Sequence, residues 1–81
     1  MANYCVNSNA QPTGEHEVHN VDACNRLPAK ENRIPLGDHA SCHGAMTIAK
    51  AVYSPVDGCY YCCSACHSRI RPMLRFSQVQ P

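Results

Sequence analysis

Cysteine and histidine side chains are concentrated near the C-terminal end of this 81-residue sequence, where residues 58–67 read Gly-Cys-Tyr-Tyr-Cys-Cys-Ser-Ala-Cys-His. Cys59 and Cys62 have the Cys-x-x-Cys spacing of a zinc knuckle, in which the backbone curls so that two thiolates lie about 2.3 Å from one ion. Gly58, directly before them, suits the tight turn that enters a knuckle. We therefore predict that Cys59 and Cys62 bind one metal ion together.

A structural zinc site needs four ligands, so a second pair must come from elsewhere in the chain. The candidates are His16, His19, Cys24, Cys42, Cys63, Cys66 and His67. If residues 15–21 form a strand, His16 and His19 face opposite sides and are not expected to bind the same ion. His19 lies at the end of that strand, and its spacing allows the chain to turn and return a thiolate. We predict a Zn²⁺ site formed by His19, Cys24, Cys59 and Cys62.

The remaining cysteines have structural interpretations. Cys42 is expected to be a small buried hydrophobic residue, and Cys5 to be structural or free. Cys63 follows a predicted ligand and should point away from it, either into the core or outward as a reactive thiol. Cys66 leaves two alternatives, because it could replace another ligand of the first site or join His67 in a second one. Exposed or half-exposed positions are expected for the other histidines, His16, His39 and His43.

The composition predicts a domain that needs such a staple. Leu, Ile, Val and Phe make up 13 of 81 residues and Trp is absent, which is about 16% and below the roughly 20% that a folded core usually needs. The net charge of +1 lacks the high-charge signature of a disordered chain. A small core without strong self-repulsion is typical of a domain held together by metal ions or disulfides.

The cysteine count favours metal over disulfides. Seven cysteines would leave one thiol over in a closed disulfide framework. The segment 1–7 has neither the basic nor the apolar region of a signal peptide. In a reducing compartment, clustered Cys and His residues more often bind metal. We therefore expect a cytoplasmic protein with Zn²⁺ as its cofactor.

A short antiparallel sheet should position the first pair of ligands. Residues 3–7 and 15–21 are predicted to form a hairpin, because Pro and Gly turn signals lie between them. Residues 33–37 offer a third strand. Pro35 has no N–H to donate and confines that strand to a sheet edge.

Helical signals follow the predicted strands. Ser41 is a credible N-cap for a helix over residues 42–53, and a short second helix is expected over residues 62–70. The sequence thus predicts an α+β fold with two to three antiparallel strands and one main helix. We expect a single zinc-binding domain over residues 1–70 and a flexible tail over residues 71–81.

The order of these motifs resembles a known family. The His-x4-Cys segment 19–24, the apolar strand around 32–36, the alanine-bearing helix around 45–49 and the Gly-Cys-x-x-Cys segment 58–62 resemble the metal-binding domain of the Ada DNA-repair protein. Short His/Cys zinc modules that trail some thermonuclease-like proteins are similar. The resemblance covers residues 15–62 and implies one zinc ion enclosed in an α+β fold.

The same resemblance argues against the Ada reaction. In the Ada-type domain the first ligand is a cysteine whose zinc-bound thiolate accepts a methyl group from DNA. His19 stands at that position here, one residue farther from the next ligand. A neutral imidazole cannot accept the methyl group in this way, so the resemblance implies the zinc scaffold without the activity.

The function expected from the sequence is a small zinc-binding module that acts as a binding or interaction protein. A thiol enzyme or redox protein using residues 59–66 is the alternative, although so small a core leaves little room for an enclosed pocket.

A nucleic-acid-binding module is another alternative, because the tail carries three Arg residues and no acid. The net charge of +1 is low for such a protein, and Tyr60 and Tyr61 are expected to shield the metal or fill the core. A protein partner and a nucleic acid both remain open; a membrane span is excluded, because no apolar run approaches 18 residues.

Overall fold

A four-stranded sheet forms the framework of the protein in the computed structural model, which describes residues 1–68. The strands are β1 (Ala2–Asn7), β2 (His16–Asn20), β3 (Arg33–His39) and β4 (Val56–Gly58), in the spatial order β3-β1-β2-β4. β1 is antiparallel to both neighbours, whereas β4 pairs parallel with β2. The mixed sheet differs from the predicted two to three antiparallel strands, because the three-residue β4 is too short to show an alternation of apolar and polar residues.

The edge strand β3 is irregular where it meets β1. Pro35 lies opposite Cys5 and Gly37 opposite Tyr4, so Leu36 is an extra residue that forms a bulge. Gly37 has a φ of +86°, a conformation that glycine adopts without strain. The bulge turns Leu36 into the core, where it is buried, and β3 lies at the sheet edge as Pro35 predicts.

One helix, α1 (Cys42–Ala49), covers the sheet. The Ser41 side chain accepts a hydrogen bond from the His43 N–H at 3.3 Å, which confirms the predicted N-cap. The helix ends earlier than the predicted 42–53, because the N–H groups of Ala51 and Val52 bond three residues back rather than four. These last residues form turns, and Val52 is exposed.

The core lies between α1 and one face of the sheet. The sheet contributes Tyr4, Val6, Val18 and Leu36, and the helix contributes Cys42, Ala45 and Ala49. Alanines let the helix approach the strands closely, since their side chains are short. The core therefore contains few large residues, as the composition predicts.

Two short 3₁₀ turns complete the described part of the chain, Lys30–Asn32 before β3 and Ser64–Cys66 after β4. The predicted helix over residues 62–70 is therefore wrong as far as residue 68. Its last residues and the predicted flexible tail over 71–81 lie outside the described residues. No helix within residues 1–68 is long and apolar enough to cross a membrane.

Candidate metal centre

The end of β2 and the turn after it carry the first two candidate ligands. His19 lies near the end of β2, and its side chain is buried. The side-chain oxygen of Asn20 accepts a hydrogen bond from the Asp22 N–H at 3.0 Å, and its carbonyl accepts one from the Cys24 N–H at 2.9 Å. Asn favours such turns because its short side chain mimics a backbone turn. The chain thereby returns the Cys24 thiol to the His19 imidazole.

The second pair of thiols comes from the loop after β4. The N–H of Cys59 donates to the carbonyl of Val18 in β2 at 2.9 Å. The N–H of Cys63 donates to the carbonyl of Cys59 at 2.9 Å, which curls the backbone so that Cys62 lies beside Cys59. Gly58 makes this close approach feasible, because a Cβ there would lie 2.7 Å from the carbonyl oxygen of Cys63.

These segments bring four side chains together, namely His19, Cys24, Cys59 and Cys62, and their ligand atoms all lie within 4.8 Å of one another. The Nδ1 of His19 is 3.6 Å from the Cys24 sulfur and 3.8 Å from the Cys62 sulfur. The sulfurs of Cys24 and Cys59 are 4.0 Å apart. A tetrahedral zinc ion separates two sulfur ligands by about 3.8 Å, and a nitrogen from a sulfur by about 3.6 Å. The four residues are therefore positioned to bind one metal ion.

The imidazole of His19 has a different neighbour at each nitrogen. Its Nδ1 faces the thiols, whereas its Nε2 lies 3.7 Å from a carboxylate oxygen of Glu17. Glu17 and His19 are two residues apart in β2 and share one face of the sheet. Histidine ligands commonly direct their second nitrogen toward a carboxylate, which fixes the ring orientation. Glu17 is thus placed to orient the ligand ring.

Backbone N–H groups point at two of the sulfurs. The N–H of Asn20 donates to the Cys62 sulfur at 3.3 Å, and the N–H of Arg26 donates to the Cys24 sulfur at 3.4 Å. Three thiolates around a divalent cation leave one excess negative charge. N–H donors stabilise that charge, because a hydrogen bond to an ionised acceptor is stronger than one to a neutral acceptor.

Burial shifts the protonation of the site in two directions. It lowers the pKa of the His19 imidazole, and the positive charge of Arg33 lowers it further, so His19 is held in the neutral form that binds metals. Burial raises the pKa of the thiols of Cys62, Cys63 and Cys5. A buried thiolate is costly without a compensating cation, and a bound metal ion supplies that charge.

Two of the less favoured candidates lie outside this group. Cys63 is 2% exposed and belongs to the hydrophobic core, although its sulfur is 3.8 Å from that of Cys62. The Nδ1 of His67 donates to the carbonyl of Gly58 at 2.8 Å. Cys63 therefore packs, and His67 braces the backbone before the knuckle.

The two histidines of β2 lie on opposite faces of the strand. His16 stacks on Tyr53 with the ring centres 3.9 Å apart and the planes at 9°. Its Nδ1 donates to the carbonyl of Asn7 at 2.8 Å. His16 is half-buried and belongs to the helix side of the sheet, whereas His19 faces the thiols.

A second Cys/His group lies at the start of α1. The ligand atoms of Cys42, His43 and Cys66 lie within 4.8 Å of one another, and Cys42 is joined to Cys66 by a disulfide. Cys42 is buried as predicted, but the expectation that the cysteines bind metal rather than form disulfides is wrong for Cys42 and Cys66. Among residues 1–68, Cys66 belongs neither to the first group nor to a group with His67. The sequence does not reveal the group, because Cys66 is 24 residues from Cys42 and no local spacing connects them.

The knuckle tyrosines lie outside the core. Tyr60 and Tyr61 are 57% and 60% exposed, so the expectation that they shield the metal or fill the core is wrong. Cys59 and Cys62 turn toward β2, and the two residues between them consequently point outward. The guanidinium of Arg26 lies over the Tyr61 ring, 4.1 Å from its centre.

No protein-family model, curated protein or solved structure matches this chain. The Ada-type resemblance therefore rests on the motifs of residues 15–62 alone. The geometry of the first group is consistent with a small His/Cys metal module.

Proposed function

We propose that this protein is a small zinc-binding module in which His19, Cys24, Cys59 and Cys62 hold a structural Zn²⁺ ion. The observation that carries the proposal is the convergence of one imidazole and three thiols, from three separate segments, within 4.8 Å. Ligands from distant parts of the sequence have no local reason to meet in this way. A shared metal ion would account for their convergence, with the hydrogen-bonded turns holding the four side chains in place.

The donor set favours zinc. Zn²⁺ prefers sulfur and nitrogen ligands in tetrahedral geometry, whereas Mg²⁺ and Ca²⁺ prefer oxygen ligands. A site with four protein ligands has no position left for a substrate, which is typical of structural zinc. The ion would join the end of β2 to the loop after β4.

The small core explains why the fold would need stabilisation by a metal ion. The largest fully buried side chains within residues 1–68 are Val6, Val18 and Cys5. Structural zinc contributes on the order of 10–16 kcal/mol of apparent binding free energy in small peptides. That contribution exceeds what so small a core leaves after the entropy of folding is offset.

A binding role is better supported than thiol catalysis. Within the segment 59–66, Cys59 and Cys63 are each 2% exposed, so a substrate has no access to their sulfurs. The disulfide occupies Cys66, and the half-buried Cys62 would be bound to the proposed metal ion. We propose that the protein is an interaction module located in the cytoplasm. Its Ada-type scaffold lacks the methyl-transfer reaction, because His19 replaces the accepting cysteine.

Ligand variants test the proposal. His19→Ala and Cys24→Ser should each leave three ligands and weaken zinc binding on the order of 100-fold or more, because even indirect partners of a ligand change affinity by 10–100-fold. Zinc affinity is measured by competition with a chromophoric chelator, and the thermal midpoint is recorded for each variant.

His16→Ala is the matched control. It removes a histidine from the same strand together with its stacking on Tyr53 and its hydrogen bond to Asn7. We expect a loss of about 1–2 kcal/mol in stability, with one zinc ion still bound at unchanged affinity. Loss of zinc in His16→Ala with retention in His19→Ala would contradict the proposed ligand set.

A further inference from the structure

The second Cys/His group, formed by Cys42, His43 and Cys66, has the ligand types of a metal site in a form that cannot bind metal. Cys42 begins α1 and is buried, His43 is exposed, and Cys66 ends the 3₁₀ turn Ser64–Cys66. All three ligand atoms lie within 4.8 Å of one another. The disulfide occupies both sulfurs, so neither is available as a thiolate.

Reduction would release two ligands at once. A dithiol reductant gives two electrons to the Cys42–Cys66 bond, which breaks, while a disulfide forms between the reductant's own sulfurs. The two protons that the dithiol loses go to the two cysteine sulfurs. A metal ion then displaces these protons and binds two thiolates, with the His43 imidazole as the third ligand.

The geometry allows the sulfurs to separate. Two thiolates on one tetrahedral zinc ion lie about 3.8 Å apart, compared with about 2.05 Å in a disulfide. Cys42 is held by the first turn of α1, but Ser64 and Ala65 beside Cys66 are exposed. Cys66 itself is half-buried and packs against the core, so the turn that carries it has room to shift only on its solvent side.

A cavity beside the group leaves room for a fourth ligand. It has a volume of about 380 Å³, and His43 and Cys66 both line it, together with Met46, Thr47, Lys50 and Ala65. An ion held by three protein ligands at this place would have an open position toward the cavity. Three protein ligands and one open position are typical of zinc that exchanges or binds a further molecule.

We propose that Cys42, His43 and Cys66 form a second Zn²⁺ site that exists only when the disulfide is reduced. The two groups share no ligand, so this proposal does not rest on the first site. The number of zinc ions per chain then reports the redox state, with one more ion in the reduced protein than in the oxidised protein.

The test counts zinc in both redox states of the full chain. The protein is loaded with Zn²⁺ in a phosphine reductant, whose phosphorus takes its oxygen from water as the disulfide is reduced. One half is then oxidised with diamide, and each half is freed of unbound zinc by gel filtration. The zinc content is measured by elemental mass spectrometry, and alkylation followed by peptide mapping identifies the paired cysteines.

We expect one additional zinc ion in the reduced sample and its loss upon formation of the Cys42–Cys66 disulfide. His43→Ala leaves the disulfide intact and should weaken binding of the second ion on the order of 100-fold or more. Lys30→Ala removes a lysine outside the group and its cavity, and this variant should bind the second ion as the wild type does. Cys42→Ser should abolish the difference between the two redox states.

Equal zinc content in the reduced and oxidised wild-type protein overturns the second site, as does an unchanged second ion in His43→Ala. Failure of the first site is a separate result. It would appear as a Cys42→Ser protein that binds no zinc under reducing conditions, while the reduced wild type binds the additional ion.

Discussion

The two Cys/His groups of this protein use the same donor types in different structural settings. The first brings together four candidate ligands, of which His19 and Cys59 are 3% and 2% exposed, and a strand and two hydrogen-bonded turns position them. The second brings together three candidate ligands at a helix start and a short turn, with His43 exposed and a disulfide between the sulfurs. Both groups offer Cys and His donors, so donor chemistry does not distinguish them. The surrounding backbone determines whether four buried donors or three partly exposed donors come together.

The groups also differ in what they hold together. The first joins the end of β2 to the loop after β4 on the side of the sheet away from α1. The second joins the start of α1 to the turn Ser64–Cys66. Both therefore tie the segment after β4 to the rest of the protein, and each can be disrupted separately.

Removal of metal should have the largest effect. Strong chelation at neutral pH is expected to collapse the dispersed amide NMR spectrum, because a structural zinc ion at the proposed site would contribute on the order of 10–16 kcal/mol. A chain that keeps its dispersion without metal would contradict the structural role of the first group.

Reduction of the Cys42–Cys66 disulfide is the contrasting treatment. Closing a loop of this length stabilises a protein by about 3.5 kcal/mol, less than the metal does, so the protein with its first ion bound should keep its dispersion after reduction. Its thermal midpoint should fall when no free zinc is supplied to fill the second site. Collapse upon reduction with zinc still bound would reverse the comparison between the two groups.

Acid should release the first metal ion, since each ligand must be deprotonated to bind. Each thiol proton displaced by the metal makes the affinity rise about tenfold per pH unit. Burial lowers the pKa of His19 below the ordinary imidazole value of about 6.5. The ring is therefore neutral above that pH, and protons compete with the metal for it only at lower pH. Burial raises the pKa of Cys62, so its thiol is still protonated at pH 8.5 and releases its proton to solvent when the metal binds.

The measurement is zinc affinity from pH 6 to 9, with correction for protonation of the competing chelator. We expect affinity to rise throughout this range, steepest below about pH 6.5, where His19 also takes up protons. A flat profile between pH 6.5 and 8.5 would show that thiolates are not the ligands.

Local signals in the sequence predicted the parts of the fold that depend on neighbouring residues. Ser41 marks the helix start, and Pro35 places β3 at an edge, because each acts through its own backbone hydrogen bonds. β4 was missed, since Val56–Gly58 is a strand only through its pairing with β2. The end of α1 was also missed, because Ile48 and Val52 continue the apolar period although both are exposed.

The same distinction applies to the candidate sites. The spacings of His19 with Cys24 and of Cys59 with Cys62 identify residues that the structure brings together, and short turns connect each pair. The association of Cys42 with Cys66 depends on how α1 packs beside the loop after β4. No pattern within either segment encodes that packing, so the second group emerged only from the structure.

Two glycines, one beside each group, give the finest test of this comparison. A Cβ on Gly58 would lie 2.7 Å from the backbone oxygen of Cys63 and 2.8 Å from the Cβ of Cys66. Backbone cannot move aside without opening the knuckle, so Gly58→Ala should cost about 1–3 kcal/mol and weaken zinc binding at the first site.

A Cβ on Gly44 in α1 would instead meet a side chain, the Nδ1 of His39 at 2.7 Å. The ring can rotate away at the expense of its hydrogen bond to the Leu36 carbonyl, while Ala adds roughly 1 kcal/mol of helix propensity. Gly44→Ala should therefore change stability by less than about 1 kcal/mol and leave the first zinc ion bound. Chemical denaturation of both zinc-loaded variants measures the difference. A Gly58→Ala protein as stable as Gly44→Ala would mean that the knuckle backbone yields easily, and the first group would then lack the rigid backbone inferred for it.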